Sequence, residues 1–103
     1  MILGSSGQNI YPEEIESKLN AMPYILESLI LSRENKLHAL LYLDYERIKE
    51  ENLTEEEIKA KLENNRIEIN KLLPEYARIS SFNIQLEEFI KNPTKKIKRF
   101  LYK

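Results

Sequence analysis

Apolar residues recur along this chain with two different periods, and the change from one to the other marks out its elements. Ile15, Leu19 and Met22 are spaced as one face of a helix. Pro12 suits the first turn of that helix, where a missing backbone N–H costs nothing, and Glu13, Glu14 and Glu16 follow near the positive end of its dipole. Asn20 to Pro23 ends the helix. Ile25–Ser32 and Leu37–Tyr45 are then rich in Ile, Leu and Tyr. Between them lies Arg33-Glu34-Asn35-Lys36, a polar turn with Asn35 at a left-handed position, and the pattern predicts an antiparallel hairpin.

A second helix opens at Thr54, whose hydroxyl can cap the backbone while Glu57 reaches back to complete a capping box. Ile58, Leu62, Ile69 and Leu72 or Leu73 supply its buried stripe, with Lys, Glu and Asn on the other face, and Pro74 stops it. Ile79–Leu86 reads as a third strand, and Glu87-Glu88-Phe89-Ile90 leads into a basic terminus. The order is helix, strand, strand, helix, strand. It predicts an α+β fold, a small three-stranded sheet with helices packed on it and a basic C-terminal loop after it. Gly4-Ser5-Ser6-Gly7 reads as a flexible loop. Gly7 there either adopts a backbone conformation closed to other residues or lets another surface approach closely. No internal repeat or low-complexity segment interrupts this plan.

The length of 103 residues fits one domain with one modest core. With 42% hydrophobic and 32% charged residues, the composition is that of a soluble globular chain. The absence of cysteine removes disulfides, thiolate metal sites and cysteine nucleophiles, and it agrees with a cytoplasmic origin. No apolar run approaches the roughly 18 residues of a membrane span; the longest, Tyr24–Leu31, is interrupted by Glu27 and Ser28. Met1-Ile2-Leu3 lacks the basic region and the length of a signal peptide. A chain that opens on three apolar residues reads as one cut from something longer.

Charge is distributed unevenly. The segment from Lys91 to Lys103 holds six basic residues and no acid, whereas the preceding ninety residues hold ten Lys and Arg against seventeen Asp and Glu. The formal net charge of −1 therefore hides an acidic body with a cationic end. Three readings of that end stand side by side. It is a generic solvated terminus; or a nucleic-acid contact, with Phe100 and Tyr102 stacking on bases between the cations; or a loop that delivers one lysine into another domain's phosphate site. Pro93 would fix the approach in the third case, and lysine supplies a compact point charge. The acidic body argues against nucleic acid, because it repels phosphate.

Other candidate chemistry is sparse. His38, the only histidine, falls on a predicted strand and reads as a surface or satisfied strand residue rather than a base. One histidine without cysteine provides no metal constellation. Ser5-Ser6 lacks the strand and elbow of a serine nucleophile, and Gly4-Ser5-Ser6-Gly7 lacks the Gly-Lys-Ser/Thr of a phosphate-binding loop. The charged face from Glu55 to Glu68 reads as solvated surface.

Two segments at opposite ends carry a resemblance. Gly7-Gln8-Asn9-Ile10-Tyr11-Pro12-Glu13-Glu14-Ile15-Glu16 resembles the Gly-x-x-Ile-x-Pro-x-Glu-Ile-Glu segment that opens the C-terminal domain of adenylate-forming (AMP-binding) enzymes. Pro93-Thr94-Lys95-Lys96-Ile97-Lys98-Arg99 resembles that family's closing Pro-x-x-Gly-Lys-x-x-Arg segment, and Leu73-Pro74-Glu75-Tyr76 resembles the Leu-Pro-x-Tyr before its third strand. Where the family usually has Gly before the key lysine, this chain has Lys95, which brings it closer to the long-chain fatty acyl-CoA synthetases than to the acetyl-CoA or peptide branches.

The resemblance implies a mobile C-terminal domain of an ATP-dependent acyl-CoA synthetase. Lys96 is the counterpart of the catalytic lysine by its spacing to Arg99, with Lys95 and Lys98 as neighbours of the same charge. Gly7, Gln8 and Asn9 would line the passage for the pantetheine arm of CoA. The implied substrates are a fatty acid, ATP and CoA, with Mg in the full-length enzyme and none held by this domain alone. The implied partner is an N-terminal adenylation domain of the same protein, with the hinge residue a few positions before Gly4 and expected outside this chain. The implied compartment is the cytoplasm, with peripheral membrane association left open. A stand-alone interaction module with a basic tail for nucleic acid or another anionic partner is the alternative from another class.

Overall fold

The computed structural model describes residues 2–3 and 7–102, so the loop reading at Gly4, Ser5 and Ser6 lies outside the described residues. Strand β1 (Ile2–Leu3) pairs antiparallel with β2 (Asn9–Ile10) in a two-stranded ribbon. Helix α1 (Pro12–Asn20) begins at its proline. Strands β3 (Ile25–Arg33) and β4 (Lys36–Leu43) form the expected hairpin. Its turn places both Glu34 and Asn35 at positive φ, the pairing that a tight turn compatible with strand twist requires.

β4 stops at Leu43, two residues short of the expected end, because Asp44 caps a short helix α2 (Tyr45–Glu50) that the sequence reading lacks. Six residues with no buried side chain leave no apolar stripe for periodicity to detect. Helix α3 (Glu55–Leu72) starts on the predicted capping box, with Thr54 and Glu57 each bonding the other's backbone N–H at 3.1 Å. Its open choice resolves to Leu73: Leu72 is 69% exposed and Leu73 only 7%. Strand β5 (Ile79–Gln85) runs parallel to β4, giving the sheet order β3-β4-β5. The link α3 makes this crossover possible, since parallel neighbours need a long connection.

One face of the sheet carries the main core. Ile30, Leu37, Ala39, Leu41, Leu43 and Ile79 pack there with Ile15 and Leu19 of α1 and Ile58, Leu62 and Ile69 of α3. Asn65 takes one place in the α3 stripe and donates to the Pro23 carbonyl at 2.8 Å. Asn70 clasps Ile79 by both backbone groups, at 2.8 Å to its N–H and 3.0 Å to its carbonyl. The opposite face holds Leu29, Leu31 and Leu40, and Phe89 covers them with Ile97 and Tyr102 alongside. The basic terminus is therefore a third layer of the fold rather than a solvated tail. Burial on both faces also explains why Ser28 to Leu31 form an unbroken buried run instead of an alternating one.

Leu62→Ala, at a side chain 1% exposed, is expected to cost about 2–5 kcal/mol. Thr54→Ala is expected to cost about 1 kcal/mol through the lost cap. Urea unfolding of the 103-residue chain measures both, and equal small losses would contradict the place of Leu62 in the core under the sheet.

Candidate functional site

The candidate site is the lysine-bearing terminus, and its shape follows from a few short-range bonds. Lys91 pairs with Ile97 in an antiparallel bridge, closing a small hairpin around Asn92–Lys96. The Asn92 carbonyl accepts the Lys95 N–H at 2.8 Å, and the Asn92 N–H donates to the Lys96 carbonyl at 2.8 Å. Pro93 stands at the second position of that turn, where its fixed φ is preorganised. Lys95 then sits at φ 65°, so the hairpin is a turn followed by one left-handed residue. This is a position at which glycine carries no Cβ penalty, and Lys95 is the residue that departs from the family's Gly.

The side chain of Asn92 fills the hairpin. Its Oδ1 accepts from the Thr94 N–H at 3.1 Å, the Thr94 hydroxyl at 2.7 Å and the Lys96 N–H at 3.0 Å. Lys96, just past the turn, is exposed. Lys91 pairs with Glu27 at 2.7 Å, and Arg99 pairs with Glu16. Among the described residues Lys95, Lys96 and Lys98 have no ion-pair partner. Lys98 is half-buried and donates its N–H to the Ile90 carbonyl at 2.8 Å. Tyr102 packs edge-on against Phe89, with ring centroids 5.2 Å apart, and accepts the Ile90 N–H at 2.8 Å. That ring is committed to the fold and is not displayed for stacking on bases, whereas Phe100 is 69% exposed.

The hairpin is fastened to the other end of the chain. Glu16 on α1 is buried at 8% exposure. One of its oxygens accepts the Ile30 N–H at 2.7 Å, and the other meets the Arg99 guanidinium at 2.5 Å. Arg99 also donates to the Ile30 carbonyl at 3.3 Å. A carboxylate and a guanidinium thus bond both backbone groups of Ile30 on β3, an edge strand of the sheet. The helix dipole groups Glu16 with Glu13 and Glu14, and it is the fold that buries Glu16 and supplies its partner. The signal was present, because position 16 shares a face with Pro12, Ile15 and Leu19, all buried.

Burial raises the Glu16 pKa above its ordinary value; the Ile30 N–H and then Arg99 pull it back down. The sign of the pH dependence follows. A carboxyl whose folded pKa is raised favours the folded state below the unfolded pKa, and this stabilisation fades as pH rises through the folded value.

The residues expected to line a passage sit on and before β2. Gly7 has φ 86°, and a Cβ built on it would meet nothing within 4 Å. Its requirement is therefore one of conformation rather than of close approach within this chain. Gln8 is half-buried, and its side-chain carbonyl has no partner among the described residues. Asn9 is exposed and pairs with Leu3. His38 is bonded on the strand through one ring nitrogen, with its Nδ1 2.5 Å from Ser81 Oγ across β4 and β5. Burial, with Arg33 next, lowers its pKa. Its Nε2 is buried without a partner among the described residues, so no carboxylate orients it as a base. Among the described residues no group of three or more His, Cys, Asp or Glu is arranged to hold a metal ion. No helix among them is long and apolar enough to cross a membrane.

The site is thus a lysine-bearing hairpin on an α+β layer, pinned through Arg99 and Glu16 to the helix that follows the opening segment. The chain belongs to the AMP-binding enzyme C-terminal domain family, whose model matches residues 1–99. Solved structures share the fold. An acyl-CoA synthetase of Brucella canis is similar at 26% identity and TM-score 0.71, over 98% of this chain and 18% of that one. O-succinylbenzoate coenzyme A synthetase of Bacillus subtilis, in complex with AMP, is similar at 25% identity and TM-score 0.64, over 100% of this chain and 19% of that one. A Mycobacterium tuberculosis fatty acyl CoA synthetase is similar in fold at 24% identity and TM-score 0.61, over 98% and 18%. The chain thus spans under one fifth of the length of these solved chains. No curated protein sequence matches it.

Arg99→Gln is expected to cost about 1–3 kcal/mol at pH 7, where it leaves a buried charge without its partner. The loss should be smaller at pH 5, because Glu16, freed of Arg99, takes up a proton more readily in the folded state. Urea unfolding at the two pH values measures this, and an equal or larger loss at pH 5 would contradict the role given to Glu16.

Proposed function

We propose that this domain is the C-terminal lid of an ATP-dependent, AMP-forming acyl-CoA synthetase, with a long-chain fatty acid as the acid substrate. The observation that carries the reading is the hairpin tip. Lys95 holds the left-handed conformation where the family has glycine, and Lys96 follows it exposed and without an ion-pair partner among the described residues. This favours Lys96 over Lys95 and Lys98 as the reacting lysine. The long-chain assignment rests on Pro93-Thr94-Lys95-Lys96-Ile97-Lys98-Arg99 alone.

In the first half-reaction an anionic carboxylate attacks the anionic α-phosphate of ATP, with pyrophosphate as leaving group. A lysine bridging both partners offsets their repulsion, fixes the line of attack and stabilises charge developing in the transition state. Lys96 takes that role. In the second half-reaction the domain rotates as a hinged body, withdraws the lysine and brings Gly7, Gln8 and Asn9 to the passage for pantetheine, so that the CoA thiol attacks the acyl-adenylate and AMP leaves. The left-handed Gly7, open around its Cα, suits a segment along which a thin chain must slide. ATP brings its Mg as substrate to the adenylation domain, and none is assigned to this one. The compartment proposed is the cytoplasm.

Lys96→Ala in the enzyme carrying its adenylation domain is expected to lower acid-dependent pyrophosphate release by about 10²-fold or more, the size of one lost transition-state donor. Transfer from a preformed acyl-adenylate to CoA should stay nearly unchanged. Retention of the first rate would remove Lys96 from this role, and Lys95 and Lys98 would be substituted next. The 103-residue chain by itself is expected to fold and to form no acyl-CoA. Thioester formation by that chain alone, followed by thiol titration, would refute the assignment as a lid.

A further inference from the structure

We propose that Asn92 is a positioning residue for Lys96, an inference that rests on the function proposed above. Lys96 is exposed and its side chain has no ion-pair partner among the described residues, so nothing at its ammonium end fixes where the chain points. What is fixed is its backbone, and Asn92 fixes it from both sides. The Asn92 main chain donates to the Lys96 carbonyl at 2.8 Å, while its side-chain Oδ1 accepts the Lys96 N–H at 3.0 Å. The same oxygen gathers the Thr94 N–H and hydroxyl at 3.1 and 2.7 Å. One side-chain acceptor therefore ties together the residues that carry the chain around the left-handed Lys95.

A lysine on four rotatable carbons delivers its charge accurately only if its Cα is held, and the hairpin has few other means to hold it. Lys95 works against the turn, since a non-glycine residue at positive φ costs about 1–2 kcal/mol. The bonds to Asn92 Oδ1 offset that cost. Asn92 spends its side-chain oxygen on Thr94 and Lys96 and acts through Lys96, so the consequence of losing it is confined to the step in which Lys96 is placed.

The test uses the enzyme carrying its adenylation domain, with three variants measured in both half-reactions. Asn92→Ala removes the acceptor; Asn92→Asp keeps an oxygen at the same place; Lys96→Ala is the reference. Displacing a reacting group by about 1 Å can cost about 10²-fold. Asn92→Ala is expected to lower the kcat of acid-dependent pyrophosphate release by about 10-fold or more. The KM for ATP should be little changed, and transfer from preformed acyl-adenylate to CoA should be retained. Asn92→Asp is expected to restore the first rate. The inference is overturned if Asn92→Ala leaves pyrophosphate release unchanged, if it lowers both half-reactions together as a folding defect would, or if Asn92→Asp does not restore. When any of these occurs while Lys96→Ala remains defective, only the role of Asn92 fails. When Lys96→Ala releases pyrophosphate normally, the proposed function fails and this inference with it.

Discussion

The structure turns on one buried carboxylate. Glu16 sits where the α1 periodicity calls for an apolar residue, and it faces the backbone of Ile30 and the guanidinium of Arg99 together. A charge taken out of water is tolerable only with partners of this quality. The arrangement therefore fixes more than a local contact. It docks α1 on β3, occupies backbone groups at a sheet edge that would otherwise be open to another strand, and anchors the end of the chain 83 residues after Glu16. The first and last recognisable segments of the sequence meet at this point.

That anchoring changes the meaning of the basic terminus. Charge alone makes Lys91 to Lys103 a cationic appendage on an acidic body. In the fold, Lys91 and Arg99 are neutralised by Glu27 and Glu16, and Phe89, Ile97 and Tyr102 cover the second face of the sheet. The cations then divide by role. Two hold the layer in place, and Lys96 is displayed at the tip of a hairpin whose backbone is tied by Asn92. Packing gives the hairpin a rigid base, and a rigid base is what a flexible side chain needs if it is to deliver charge to one place.

Some features were legible residue by residue. Pro12, Thr54 with Glu57, and Asn35 announce their structures because their chemistry is local: a helix start, a cap and a left-handed turn depend on neighbours within four residues. Strands β3 and β4 and helices α1 and α3 follow from period and propensity. Leu72 and Leu73 were indistinguishable because both lie just before the stop at Pro74; Leu72 ends the helix on its exposed side, and Leu73, already extended at φ −103° and ψ 144°, turns inward. α2 escaped because it is six residues long and only Ile48 packs from it against the core. In the site, the spacing from Lys96 to Arg99 and the Gly7 segment were visible as patterns, but the partner of Arg99 was not.

The sequence by itself determined the order of α1, β3, β4, α3 and β5, the caps and turns it named, the family and the segment that bears the lysines, because each is written in contiguous residues. Tertiary structure alone decided that β5 pairs parallel to β4, that the terminus is a layer of the fold, that Glu16 answers Arg99, and that Lys95 takes the left-handed place. Each of these joins residues brought together only when the sheet forms or the hairpin closes. Pairing direction and burial depend on what arrives opposite, and a carboxylate at position 16 looks the same in the sequence whether water or a guanidinium faces it.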